Sequence, residues 1–137
     1  MTADTTELSL PSRIDTVATA AALVAEFLSR SGITEDAAFG IDMAVREAVT
    51  NAVIHGNQQD ENKTVDVTLK SSPDAVEISV HDQGPGFNPE AVPDPTAQEN
   101  ILKASGRGIF FMRSFMDEVD WSIRPGGGTT VRMLKRR

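Results

Sequence analysis

The sequence predicts an α+β chain: a two-layer α/β sandwich in which a mixed, mostly antiparallel sheet carries its helices on one face. Two stretches with helical spacing occupy the part before Asn57. Two pairs of alternating strands follow, Val65–Leu69 with Val76–Val80 and Val119–Ile123 with Thr129–Met133, each pair joined by a short turn. Hairpins make antiparallel neighbours, and such a sheet can bury one face under helices while the other meets water.

Each element has its own warrant. Thr6 to Leu10 alternates as a short strand, and Pro11 stops it. Ser12 then reads as an N-cap, with Asp15 three residues on. Ile14, Val17, Ala18, Ala21, Ala25 and Leu28 recur at helical spacing, and Gly32 supplies the stop. Thr34 caps a second helix whose first turn holds Glu35 and Asp36, where the helix dipole favours acids. That helix runs to about His55, and Gly56-Asn57 ends it.

The first hairpin turns at Ser72-Pro73-Asp74. Asp82 to Pro95 is rich in proline and glycine and reads as loop. Thr96 to Ser105 is loop with a helical turn. Gly108 to Met116 is a third helix, with Ile109, Met112, Phe115 and Met116 on one face. Pro125 to Gly128 forms the last turn.

Composition narrows the function classes. The 137 residues include 13 Lys+Arg against 20 Asp+Glu, a formal charge of −7. Folding such a chain buries about two-thirds of its surface, enough for one core, so residues 1–137 are expected to form a single domain. The acidic balance argues against direct binding of nucleic acid, which needs Lys and Arg against phosphate. The absence of cysteine excludes disulfides, thiolate metal sites and a thiol nucleophile. Met1 to Thr6 lacks the basic and apolar regions of a signal peptide. Val17 to Leu28 is interrupted by Thr19 and Glu26 and is too short for a membrane span. A soluble, cytoplasmic protein is expected.

The second helix carries the chemistry. Met43, Ala44, Val45, Ala48, Val49, Ala52, Val53 and Ile54 make its latter half apolar on nearly every side, as in a buried helix. Glu47, Asn51 and His55 sit within it, four residues apart. At about 100° per residue they drift by only about 40° per step, so they form one stripe. Such groups are costly to desolvate without partners. The stripe is an internal hydrogen-bond ladder, a narrow solvent-facing strip, or a ligand-facing row. Asp42 and Arg46, also four apart, suit the solvated side, where they can pair.

Two further motifs bear on that choice. Asp82-Gln83-Gly84-Pro85-Gly86-Phe87 follows a strand, and an acid there, followed by two glycines, suits a pocket floor. The carboxylate can accept from an exocyclic amine, and glycine backbone can approach a flat ring. Gly106-Arg107-Gly108 precedes a helix, whose free N–H groups favour a phosphate. Each motif alone is weak.

In this order they are specific. The sequence resembles the GHKL superfamily of ATPases, with the Bergerat or histidine kinase-like fold, and within it the small anti-sigma-factor serine/threonine kinases. Glu47-x-x-x-Asn51-x-x-x-His55-Gly56-Asn57 resembles the N box. Asp82 to Phe87 resembles the G1 box, Gly106-Arg107-Gly108-Ile109 the G2 box, and Gly128-Thr129-Thr130 the closing G-T-T strand. The similarity runs from about Glu7 to Lys135.

The resemblance implies a site for ATP and Mg2+ between the second helix and the Asp82–Arg107 loops. Asp82 would accept from the adenine amino group, with Thr130 helping through a water. Gly84 and Gly86 would approach the base, and Asn51 would be the Mg2+ ligand, with His55 beside it in the same box. Gly106, Arg107, Gly108 and Ile109 would wrap the phosphates. Lys103 and Ser105 are either lid contacts to phosphate or solvated loop residues. Glu47, one turn before Asn51, would be the general base. His81 reads as a strand residue at the pocket rim. Trp121 and Phe110-Phe111 belong to core or interface, and Lys135-Arg136-Arg137 is a solvated terminus or a steering patch for an acidic partner.

By the same resemblance the protein would phosphorylate an anti-anti-sigma partner of the STAS type and sequester a sigma factor or comparable regulator. It would form a homodimer through the first strand and helix. Two other readings stay open at this point: a nucleotide-gated module that sequesters without phosphorylating, and a detached catalytic domain of a sensor histidine kinase.

Overall fold

A computed structural model describes residues 4–57, 60–84, 112–123 and 128–137. The order is β1 (Asp4–Pro11), α1 (Thr16–Arg30), α2 (Glu35–Asn51), a π-turn (Ala52–Gly56), β2 (Thr64–Ser71), β3 (Ala75–His81), β4 (Glu118–Ile123) and β5 (Thr129–Arg136). Residues 112–115 form a helical turn before β4. The five strands make one sheet in the order β1-β2-β3-β5-β4. Every pairing among the described residues is antiparallel. The two-layer α+β expectation holds.

Side-chain alternation decides which face the helices cover. Val65, Val67 and Leu69 of β2, Val76, Ile78 and Val80 of β3, and Val131 and Met133 of β5 are buried. They join Ala20, Val24, Phe27 and Leu28 of α1, Ile41, Ala44, Val45, Ala48 and Val49 of α2, and Met112 and Met116 in one core. Full burial of each large side chain contributes roughly 1.5–3 kcal/mol. The opposite face is mostly polar. There Arg132 pairs with Glu77 and, at 2.8 Å, with Asp120, while Arg136 meets Glu118 at 2.6 Å. Among the described residues no helix is long and apolar enough to cross a membrane.

The start of α1 differs from the expectation. Ser12 is not its N-cap: the helix begins at Thr16, after Asp15. Ser12 N–H instead donates to the Lys63 carbonyl at 3.2 Å, which carries the β1–β2 pairing one step past Pro11 and Thr64. With Ser12 held to the sheet, the chain needs three more residues to turn. Ile14 lies in that turn and is 52% exposed rather than in the core. The buried stripe is accordingly Ala20, Ala21, Val24, Phe27 and Leu28, and Ala18 and Ala25 face outward. Alanine is small enough for either face, so only the bulky residues fix the helix phase.

The second helix matches closely. Thr34 Oγ1 accepts from Ala37 N–H at 3.3 Å, and Glu35 and Asp36 occupy the first turn. Arg46 and Asp42 pair at 2.9 Å on its outer side. Phe115 fits the notch at Gly40 and stands edge-on to Phe39, with ring centroids 6.2 Å apart. Trp121, on the edge strand β4, is partly exposed under the guanidinium of Arg113.

Candidate functional site

Antiparallel connectivity gathers four chain ends at one end of the sheet. These are the start of β2 at Thr64, the end of β3 at His81, the start of β5 at Thr129 and the π-turn that closes α2. The π-turn is closed by the bond from Asn57 N–H to the Ala52 carbonyl, five residues back, at 2.8 Å. Such turns recur at functional positions because they displace the helix from its regular register.

Asp82 is the centre of this end. It is 7% exposed. Its Oδ1 accepts the N–H of Gly84 at 3.0 Å and of Thr129 at 3.2 Å, and its own N–H donates to the Thr129 carbonyl at 3.0 Å. Oδ2 has no hydrogen-bond partner among the described residues. Burial pushes the carboxyl above its ordinary value, against the two N–H donors and the charges of His81 and Lys63, which pull it down. The result is a carboxylate with one oxygen fixed and the other able to receive a donor.

Glycine lets backbone approach it. A Cβ at Gly56 would overlap the Asp82 carboxylate, and one at Gly84 would overlap the Gly56 carbonyl. Gly128, at φ +95°, would place a Cβ 2.5 Å from the Asp82 carbonyl. The end of the N-box segment, Asp82 and the G-T-T strand are therefore in direct contact.

Glu47 and Asn51 lie one turn apart on α2, both half-buried. Neither has a hydrogen-bond partner among the described residues, so they do not form the internal ladder considered from spacing. Asn51 offers an amide oxygen of the hard-donor type that Mg2+ takes alongside phosphate and water. Among the described residues there is no cluster of three or more acidic or histidine side chains for a metal. An ion there would lean on its nucleotide, as Mg2+ usually does. The backbone of His55 lies in the π-turn.

Thr130 lies in β5 beside the end of β3. Its partner in the ladder is His81, and its Oγ1 lies 2.9 Å from His81 Nδ1. Alternation puts that pair on the sheet face away from the helices, one residue out of phase with Asp82. Thr129, its neighbour in the strand, brackets Asp82 through its backbone. Gly86, Lys103, Ser105, Gly106, Arg107, Gly108 and Ile109 lie outside the described residues.

Two residues went unassigned in the sequence. Asn57, fully buried, accepts the Gln83 N–H at Oδ1, at 2.7 Å, and donates from Nδ2 to the Thr64 carbonyl at 2.9 Å. Gln83 Oε1 accepts the Thr64 N–H at 2.8 Å. Asn57 reads as an ordinary helix stop beside Gly56, and nothing in its spacing signals a bridge.

A buried carboxylate at a strand end with glycines packed on it, and an amide on α2 with no partner among the described residues, are the features of this end of the fold. Residues 10–135 match the histidine kinase-like ATPase domain, and the chain belongs to that family. Within it the similarity extends to anti-sigma factors. The anti-sigma F factor of Anoxybacillus flavithermus (strain DSM 21510 / WK1) is 35% identical over 114 residues, covering 82% of this chain and 78% of that protein. The anti-sigma F factor of Thermoanaerobacter sp. (strain X514) is 35% identical over 133 residues, covering 94% and 91%. Among solved structures, the RsbU and RsbW domains of Rv1364c from Mycobacterium tuberculosis align with a TM-score of 0.71 at 22% identity, over 97% of this chain and 32% of that one. The SiaB–SiaC complex from Pseudomonas aeruginosa gives 0.61 at 12% identity, over 96% and 89%. These two likenesses concern the fold.

Proposed function

We propose that this chain is an Mg2+-ATP-dependent protein serine/threonine kinase that also acts as an anti-sigma factor. Its phosphoacceptor is a serine or threonine on an anti-anti-sigma partner of the STAS type, and its other partner is a sigma factor or comparable regulator. The reading extends to one domain over residues 1–137, a cytoplasmic location and a homodimer. Similarity to anti-sigma F factors over most of both chains supports the partners. The chemistry rests on one observation: Glu47, half-buried and without a partner among the described residues, one turn before Asn51.

Each side chain has a distinct task. Asp82 Oδ2 accepts from the adenine amino group while Oδ1 stays bound to Gly84 and Thr129. Asn51 holds Mg2+, which when bound neutralises phosphate charge. Gly106, Arg107, Gly108 and Ile109, by the resemblance of their segment to the G2 box, are assigned to the β- and γ-phosphates, with Lys103 and Ser105 as candidate further phosphate contacts. Glu47 accepts the proton of the acceptor hydroxyl as its oxygen bonds to the γ-phosphorus and the bond to the bridging oxygen of ADP breaks. Phosphoryl transfer asks mainly for positioning and charge neutralisation, which these groups supply.

Incubating the purified chain with radiolabelled ATP, Mg2+ and a candidate STAS protein tests this. Label on a serine or threonine of the partner is expected. ATP-dependent complex formation without label would instead favour nucleotide-gated sequestration.

A further inference from the structure

The last pair in the β2–β3 ladder is Asp66 with His81. Extending that register by two residues sets Thr64 opposite Gln83, where β3 has already ended. Both backbone groups of Thr64 are still satisfied there, each by a side-chain amide. Its N–H goes to Gln83 Oε1 and its carbonyl takes Asn57 Nδ2. The Gln83 N–H is taken by Asn57 Oδ1. Two amides thus stand in for a backbone rung, and the first residue after Asp82 is tied to the first residue after Gly56.

An amide suits this place because it donates and accepts at once from a fixed plane. Asn57 is 0% exposed, so leaving either neighbour unpaired would be costly. Its backbone is committed as well: its N–H closes the π-turn onto Ala52, and its carbonyl accepts from Asp60 N–H at 3.0 Å. Neither end of the bridge can shift without breaking bonds at the other. Gly56 and Asp82, each adjacent to one end of the bridge, are the two residues packed carboxylate-to-backbone.

We propose that Asn57 is a positioning residue of the nucleotide site: its buried amide fixes where the Asp82 carboxylate stands relative to the end of α2, and recognition of the adenine edge depends on it. This rests on the site reading given under Proposed function. Asn57 touches no nucleotide itself and acts through Asp82.

Calorimetric titration of the full chain with ADP and with GDP, in Mg2+, tests the proposal on three variants confirmed as folded by circular dichroism. Asn57→Ala is expected to weaken ADP binding about tenfold, and Gln83→Ala, which removes one bond at an exposed side chain, about threefold. The preference for ADP over GDP should shrink with them, because the displaced carboxylate no longer meets the base edge. Leu69→Ala, a core change in β2 remote from the bridge, should stay within about twofold of the parent, as expected of distant independent sites. A folded Asn57→Ala protein with parental affinity and preference overturns the proposal. If that variant does not fold, the same result for Gln83→Ala overturns it. Equal losses in Leu69→Ala also overturn it, since the effect would then be general stability. A parent chain that binds no ADP removes the site reading itself, a distinct result from a parent that binds while Asn57→Ala is unchanged.

Discussion

The backbone of Gly56 rests on the carboxylate of Asp82 so closely that a methyl group at position 56 would overlap Asp82 Cγ and Oδ2. The two residues belong to different motifs, one ending a helix and one ending a strand, and their contact joins the two layers at the site. A Cβ at Gly84 would in turn overlap the Gly56 carbonyl, so the helix end is packed against both Asp82 and Gly84.

Gly56→Ala therefore separates the site from the core. Overpacking of this kind costs about 1–3 kcal/mol, relieved by turning the Asp82 side chain or lifting the helix end. The expected outcome is an unfolding free energy in urea lowered by that amount together with loss of ADP binding by calorimetry. Retained ADP affinity would show that the contact does not set the position of Asp82.

Asp82→Asn should stabilise the fold while damaging binding. Burial raises the Asp82 carboxyl above its unfolded value, so the folded state binds a proton more readily than the unfolded one. That contribution is fully present below the unfolded value and is lost as pH rises through the folded one. Near neutral pH the ionised group then works against folding. An asparagine keeps an acceptor for the Gly84 and Thr129 N–H groups and carries no charge. Thermal melts should place Asp82→Asn above the parent at pH 7, with the gap closing as pH falls below the ordinary carboxylate range. ADP binding should weaken by about 1.5–3 kcal/mol, the scale of a hydrogen bond to a charged group.

Asn51→Ala should abolish the metal-dependent part of ATP binding, since the variant lacks the amide oxygen assigned to Mg2+. Titrations in Mg2+ and in EDTA should give a large difference for the parent and none for the variant. An undiminished Mg2+ effect would remove Asn51 from that role.

Ser12 offers a test away from the site. It is fully buried, and its Oγ has no hydrogen-bond partner among the described residues. Removing an unpaired buried hydroxyl relieves desolvation, so Ser12→Ala should be neutral or more stable by about 1 kcal/mol. Chemical denaturation checks this; a clearly less stable variant contradicts it.

What the sequence made legible follows from which signals are local. Strict alternation at Val65–Leu69 and Val76–Val80 fixed both strands and their buried face, and Thr34 with Glu35 and Asp36 fixed the start of α2. Of the segments carrying Glu47-Asn51-His55, Asp82-x-Gly84 and Gly128-Thr129, the fold packs Gly56, Asp82, Gly84 and Gly128 against one another. The sequence is silent where distant backbone decides. Ser12 follows the sheet because Lys63 takes its N–H, and Thr130 faces away because β5 pairs with β3 in a register that sets it on His81. Asn57 carries no periodicity, and its bridge exists only once Thr64 and Gln83 are adjacent.

Glu47→Gln isolates chemistry from binding. The two side chains are nearly isosteric, and Glu47 has no ion-pair or hydrogen-bond partner among the described residues, so the fold loses no contact by the change. Binding of ATP should be close to parental, because the assigned nucleotide ligands are other residues. Glutamine cannot take a proton, however, and a general base contributes about 10²- to 10⁴-fold. Single-turnover labelling of a STAS-type partner should therefore slow by at least about 10²-fold at unchanged ATP affinity, a loss in the chemical step alone. Equal labelling by both proteins would remove Glu47 from catalysis. Complex formation with the STAS-type partner, measured in the same samples, should persist in the variant, because docking of the partner does not require proton transfer.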